Sequence, residues 1–452
     1  RMRLLFRRPE AFPHPMTDTR SAVRRPPGPQ DQVHLGIDPE TLDTLLRVRD
    51  EYGDIVSMRR RNGRLAYFIN DPVEVRRILV RRHGKYVKGP GFERVKMLLG
   101  NGLIVSDGDV WRRSRTMIQP AFSRQNVHRL IRVMVQCCDT LAVRWAAAAK
   151  KGEAINITAE TSDFALELIL ISIFGDDYES KILSRGENPF AFLASDSTRD
   201  LSVVMKARNL RRLLLEIIDA RRDAGNAETC DFLSMYMHAT DKQGATFTDD
   251  ELLDELITLI VAGFETSANT LNWVWYLLAG HPDIEDEVVE ESRRTIPTVS
   301  TVNAEALADM QYTQQVLEET LRLYPPVWLF TRRSREDDEL EGFDVPDDTD
   351  IYLSPFILHR TAAFWPDPER FDPGRFAEGR LAKNERPYFP FSLGPRRCLG
   401  EYFSFLEMKV HLGLLLPRFR MIRTNDEDPG LELAVNLRSA SDIWLQPAVR
   451  TA

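Results

Sequence analysis

Residues 248–280 constrain the fold more than any other stretch. Thr248-Asp249-Asp250-Glu251 is a capping box, in which hydroxyl and acid each satisfy an orphan amide at a helix start. Gly280 and Pro282 mark the far end. Between them lie about thirty residues, or roughly 45 Å of helix. Leu256 to Ala262 is apolar on every side, so the helix runs through the core rather than over the surface. Asp254, Glu265, Asn269 and Asn272 argue against a membrane span. In the middle stands Ala262-Gly263-Phe264-Glu265-Thr266-Ser267. Gly263 leaves room for a ligand against the helix. An acid and a hydroxyl side by side at this depth are costly unless they have partners or work to do. The plainer alternative is a threonine bonding its own i−4 carbonyl.

The second feature is Phe391-Ser392-Leu393-Gly394-Pro395-Arg396-Arg397-Cys398-Leu399-Gly400. Gly394 and Gly400 bracket Cys398, allowing a tight turn and close approach to a flat cofactor. A helical run follows, Glu401 to Leu416, ended by Pro417. Amides at a helix N-terminus favour a thiolate, and Arg396 and Arg397 add positive charge. A thiolate with no second metal-type ligand beside it suits a heme iron, where its donation favours O–O cleavage. The alternative is a buried, inert cysteine. The pattern Phe-x-x-Gly-x-Arg-x-Cys-x-Gly resembles the heme loop of the cytochrome P-450 family of heme-thiolate monooxygenases.

Three other segments resemble that family, in its order, and the likeness runs from about residue 26 to 448. Residues 262–267 resemble its oxygen-activation motif, which implies that Thr266 and Glu265 help deliver protons. Glu319-Thr320-Leu321-Arg322 places Glu and Arg three apart on one helix face; alone this is a surface pair worth little. The resemblance makes it a buried network completed from a later meander. Residues 365–376 match that meander, and Arg370 is the expected third member, bonded to Glu319. Trp111 and Arg115, four apart on a helical face, resemble the family's heme-propionate partners, and the alternative is a solvated basic surface. By position, Arg332 is implied as another propionate partner, with Arg396 joining from the cysteine loop. The implied architecture is a mainly helical triangular prism with small β-sheets and a long central helix. The implied cofactor is a b-type heme, held by Cys398 as the metal ligand within a loop that includes Phe391, Gly394 and Gly400, with Gly263 on the opposite side.

Composition is consistent with this. The chain has 452 residues, 43% hydrophobic and 28% charged, as expected of a soluble protein. A net charge of −8 weighs against nucleic-acid binding. Cys137, Cys138, Cys230 and Cys398 are too few and too poorly spaced for a disulfide framework or zinc site, so a reducing, cytoplasmic setting is expected. No charge-free apolar run is long enough for a transmembrane span. Residues 1–25 read as a solvated tail and 26–452 as a single heme domain, expected to be a monomer. The segment between Gly175 and Arg221 is shorter than the family's roof helices need. No Gly-rich phosphate loop between strand and helix is apparent, so electrons must come from another protein, a ferredoxin or a flavoprotein reductase.

The implied reaction is O2 activation followed by hydroxylation or epoxidation of an apolar small molecule, a lipid, terpenoid or polyketide-like compound. Candidate pocket residues are Phe92, Leu103, Ile104, Val105, Leu259, Ala262, Val327, Trp328, Leu329 and Phe330, which are mostly large and apolar. Their alternative is ordinary core packing. Two rivals are a peroxide-driven or rearranging heme-thiolate enzyme, which can dispense with Glu265 and Thr266, and a non-catalytic heme-based sensor or carrier.

Overall fold

The computed structural model describes residues 24–186, 188–191, 201–225, 230–377 and 387–450. Most of the expected tail lies outside them. The tail ends earlier than its sequence suggests. Arg24 N donates to Asp344 Oδ2 at 2.7 Å and Arg24 O accepts from Asp344 N at 2.8 Å. Pro26 and Pro27 then present their carbonyls to the hydroxyl and amide of Ser57.

The central helix spans Asp249–Ala279, 31 residues. Its capping box forms, with Thr248 N donating to Glu251 Oε2 at 2.8 Å and Glu251 N to Thr248 Oγ1 at 3.3 Å. At the other end Gly280 keeps a negative φ, so conformation does not demand glycine there. A Cβ there would fall 2.7 Å from Arg423 Cζ, so the guanidinium that satisfies the Tyr276 carbonyl at 2.9 Å would have to shift. Leu256, Ile260, Leu271, Val274 and Leu278 are at most 1% exposed. Each such side chain contributes about 1.5–3 kcal/mol by leaving water.

The helix Ile157–Phe174 lies along the central helix, and the helix Glu401–Leu415 after the cysteine packs on Ile131–Lys151. These helices share one large apolar core. Beside it a six-stranded sheet pairs Gln32–Val33, Ile55–Arg60, Leu65–Ile69, Asp350–Leu353, Phe330–Ser334 and Tyr86–Lys88, in that spatial order. Its last pair sets Lys88 opposite Arg332. A second core under this sheet contains Trp273, Tyr352, Phe68 and Trp328. Trp328 is fully buried and its indole N–H donates to the Ala434 carbonyl at 2.9 Å, so it is a core residue and not the pocket residue expected. Among the described residues no helix is long and apolar enough to cross a membrane.

Candidate active site

The cysteine loop is built as its sequence suggests, with one difference. Cys398 N donates to the Phe391 carbonyl and Arg397 N to the Gly394 carbonyl, both at 3.0 Å. Gly394 has φ +68°, and a Cβ there would collide with the Leu79 carbonyl and sit 3.0 Å from Val80 Cα. Gly400 has φ −80°, and a Cβ would meet Cys398 Sγ and Phe122 only at an ordinary 3.9 Å. Glycine at 400 is therefore demanded neither by conformation nor by these neighbours. Phe391 is half-buried, 5.4 Å from the Phe405 ring.

Cys137 and Cys138 are buried, whereas Cys398 is exposed. Burial among surrounding protein atoms nevertheless pushes the Cys398 thiol up, although the Gly400 and Glu401 amides and Arg115 pull it down. The helix-start amides alone do not outweigh burial there.

Positive charge gathers nearby around Asp107. Its Oδ2 accepts from the Lys88 backbone amide at 3.0 Å, and its Oδ1 accepts from the guanidinium Nη2 of Arg396. Arg396 also donates to the Ser106 carbonyl at 3.2 Å, and its guanidinium stacks 4.4 Å from the Trp111 ring centroid. Arg332 is 5% exposed and donates to the Thr331 carbonyl. Burial, then the charge of Arg396, pushes Arg332 down to about 10. Burial, then Arg332 and Arg396, pushes Lys88 well below the usual lysine range. Arg115 Nη1 donates to the Arg397 carbonyl at 2.8 Å, which ties the Trp111 helix to the cysteine loop. Three closely placed cations with one carboxylate between them suit a ligand with two further negative charges. The propionates of a heme have that chemistry. Lys88 was not apparent from sequence, where it is one lysine before Gly89-Pro90. The only hint is Gly89, whose Cβ would fall 2.6 Å from Arg332 N.

On the central helix, Thr266 Oγ1 donates to the Ala262 carbonyl at 2.9 Å, and Glu265 beside it is half-buried. The i−4 bond occupies the hydroxyl proton and leaves the oxygen able to accept. A Cβ at Gly263 would fall 2.8 Å from Ile169 Cδ1, so the neighbouring helix packs tightly against this glycine. Ser267, next along, donates to Glu407 Oε2 at 3.2 Å and lies 3.3 Å from Ser404 Oγ. Burial pushes Glu407 up to about 8.

Of the expected pocket residues, Phe92, Leu103, Ile104, Ala262, Val327, Leu329 and Phe330 are half-buried. Val105 and Leu259 are 6% and 8% exposed and belong to the large core instead.

The Glu319–Arg322 pair is fully buried, with contacts of 2.7 and 2.8 Å. Its third member is Arg375, whose Nε donates to Glu319 Oε1 at 3.3 Å. Arg370 is exposed and contributes only its carbonyl, which accepts from Arg322 at 3.2 Å. The meander turns at Asp367, with φ +48°, and the 3-10 turn Pro373–Phe376 then carries Arg375 back toward the helix.

The family model for cytochrome P450 matches residues 32–440. The chain belongs to the cytochrome P450 family. Cyclooctatin synthase of Streptomyces melanosporofaciens is 32% identical over 391 residues, covering 82% of this chain and 83% of that protein. Cyclooctat-9-en-7-ol 5-monooxygenase of the same organism is 30% identical over 388 residues, covering 82% and 83%. The crystal structure of a cytochrome P450DA heme domain has the same fold, with a TM-score of 0.83 at 23% identity over 95% of this chain and 97% of that one. The protein is thus a cytochrome P450 monooxygenase with a heme cofactor, which draws electrons from a redox partner and acts on an organic substrate.

Proposed function

We propose that Cys398 is the axial thiolate of a b-type heme, and that Arg115, Arg332, Arg396 and Lys88 hold its propionates, with Trp111 positioning Arg396. The observation that carries this reading is Arg396. It sits two residues before the cysteine, pairs with Asp107, and lies close enough to Arg332 and Lys88 for its charge to act on both. The bound heme supplies O2 activation and oxygen insertion. Phe391 and Gly394 shape the loop that presents the sulfur. Thr266, whose oxygen can still accept a proton, and Glu265 beside it pass protons toward the reacting oxygen. Phe92, Leu103, Ile104, Ala262, Val327, Leu329 and Phe330 give an apolar substrate its contact surface and exclude water.

The substrate in this reading is a terpenoid-like hydrocarbon or alcohol, hydroxylated or epoxidised. Two relatives named for cyclooctatin and cyclooctat-9-en-7-ol support that choice over a lipid or polyketide. The electron donor is a ferredoxin or a flavoprotein reductase, residues 26–452 form one heme domain, and the enzyme acts as a monomer. The free thiols of Cys137 and Cys138 fit a reducing compartment such as the cytoplasm.

The test is turnover of a panel of cyclic terpene hydrocarbons and alcohols under isotopically labelled O2. Each donor type is supplied in turn. The reading expects a substrate-induced spin-state change and one labelled oxygen per product. Product formed only with added peroxide, without label from O2, would contradict it.

A further inference from the structure

Among the acids on the first turns of the central helix, Glu251 and Asp254 have arginine partners from other helices and Glu255 has none. Arg113, on the helix Gly108–Ile118, donates through Nη1 to Glu251 Oε1 at 2.8 Å and through Nε to Asp241 Oδ2 at 2.7 Å. Arg211, on the helix Leu201–Asp223, donates through Nη1 to Asp254 Oδ1 at 2.8 Å. Glu255 is 3% exposed, and among the described residues no arginine or lysine lies within ion-pair distance of it. Its partners are neutral donors: Leu103 N, 2.9 Å from Oε2, and the hydroxyl of Ser114, itself buried. The other groups around it bring no positive charge. Tyr236, from the helix Phe232–His238, is a buried neutral phenol, and His238 on that helix is exposed, as are Glu93 and Lys96 on the helix Phe92–Leu99. Burial therefore pushes the Glu255 carboxyl up to about 7, Asp254 and Glu251 push the same way, and the two hydrogen bonds only partly oppose them.

We propose that Glu255 is a positioning residue whose charge state sets how firmly the pocket wall at Leu103 and the helix bearing Trp111 and Arg115 are held to the central helix, so that affinity for ligands with an apolar body rises as Glu255 loses its proton. The inference rests on the active-site reading above, because it takes Leu103 as a pocket wall and Trp111 and Arg115 as lying beside the heme. Ionised, Glu255 accepts from Leu103 N and from Ser114 in charge-assisted bonds, and one carboxylate fixes loop and helix together. Protonated, it accepts more weakly and has a proton of its own to place. The Ser114 oxygen is the acceptor at hand, and using it turns that bond round and frees the serine proton. An apolar ligand packed against Leu103 favours the firmly held arrangement, so its binding releases a proton. Affinity is therefore lowest below about 7 and rises as pH rises through it. Glutamine, the neutral counterpart, stays in the low-affinity state at every pH.

The test is equilibrium binding of 1-phenylimidazole and of imidazole to the ferric holoprotein, read by the shift in heme absorption. It is run on both sides of pH 7 for wild type, Glu255→Gln and Ser114→Ala. Each ligand's own titration is common to all the proteins and cancels in the ratio of their dissociation constants. For 1-phenylimidazole the ratio of Glu255→Gln to wild type should be near unity well below 7 and rise to about fivefold well above it, the difference between a neutral and a charge-assisted hydrogen bond. Imidazole has no apolar body to reach Leu103 and should show a flat ratio. Ser114→Ala keeps the carboxyl and removes one donor to it, so its gain in affinity should set in at higher pH than in wild type. A Glu255→Gln ratio that does not change with pH would show a merely structural role and overturn the proposal. The same rise with imidazole would also overturn it, as that reports a change at the iron itself. If Glu255→Gln yields no holoprotein, a Ser114→Ala profile that coincides with wild type overturns the proposal on its own. A wild-type protein without a thiolate-type carbon monoxide spectrum would instead overturn the reading on which the proposal depends.

Discussion

Replacing Arg375 and Arg370 separately discriminates between the two candidates for the third member of the buried network. Arg322 uses all five of its N–H donors: two on Glu319, and the others on the carbonyls of His359, Pro368 and Arg370. Glu319 accepts these two bonds, one from Asp372 N at 3.0 Å and one from Arg375 Nε at 3.3 Å. Arg375 also donates to the carbonyls of Pro366 and Asp367, at 2.6 and 2.8 Å. Arg375→Ala leaves Glu319 paired with Arg322 and removes one long charged contact and two backbone bonds, so it should cost about 2 kcal/mol. Glu319→Ala strands a guanidinium at zero exposure and should cost about 3–5 kcal/mol. Arg370→Ala keeps its carbonyl and should cost less than about 0.5 kcal/mol. The assay is urea titration of the holoprotein, followed by the thiolate carbon monoxide band and by far-UV circular dichroism. With a slope of at least about 3 kcal/mol per molar, Arg375→Ala should lower the midpoint by roughly 0.5 M. The double variant Glu319→Ala/Arg375→Ala should resemble Glu319→Ala alone. An Arg370→Ala shift as large as that of Arg375→Ala, or no shift in the latter, would refute the assignment.

Three further outcomes are expected. Thr266→Ala should keep its heme but lose product formation by about 10²–10⁴-fold, with donor electrons diverted to peroxide. Thr266→Ser should restore most coupling, and full coupling in the alanine variant would remove the role. Lys88→Met should act in opposite directions: it should raise the thermal midpoint of the heme-free protein by removing an ammonium that is buried and repelled by Arg332 and Arg396, and speed heme loss to an acceptor globin by about tenfold. Heme retention equal to wild type would show that Lys88 holds no propionate. For Glu407, the folded-state value is raised from 4.5 to about 8, so the folded protein keeps this proton more tightly than the unfolded chain. Its favourable contribution is complete below 4.5 and is lost as pH rises through 8. Glu407→Gln should match wild type near the acid end of that window and exceed it by a few kcal/mol above pH 8, read as a flatter pH profile of stability.

What could be read from sequence follows where the information is local. The central helix carries its own start signal, stop signal and apolar periodicity, and the structure reproduces its limits almost to the residue. The cysteine loop is equally local, since Gly394 and Cys398 lie within one short turn. Arg375 was missed because a meander has no period: nothing in Arg-Phe-Asp-Pro-Gly-Arg says which arginine points inward until the turns at Asp367 and Pro373 are known. Lys88 was missed because its partners, Asp107, Arg332 and Arg396, come from three distant segments. Trp328 was misread because an apolar residue in a loop looks the same whether it faces a ligand or the second core. Gly263 carries a second constraint that the sequence does not reveal, since the helix bearing Ile169 packs against it. Residue type tells that space or charge must be matched; only the tertiary arrangement tells by what.

The central claim is that Cys398 alone supplies the protein's axial ligand to the heme. The most direct measurement is the carbon monoxide difference spectrum of the reduced protein for wild type and for the alanine variants at Cys137, Cys138, Cys230 and Cys398. Cys137 and Cys138 are buried, with burial pushing both thiols well up, so neither is poised to become a thiolate. The thiolate-type band should persist in wild type and in the first three variants and vanish in Cys398→Ala. A normal thiolate band in Cys398→Ala, or its loss in any other single variant that still retains heme, would contradict the account.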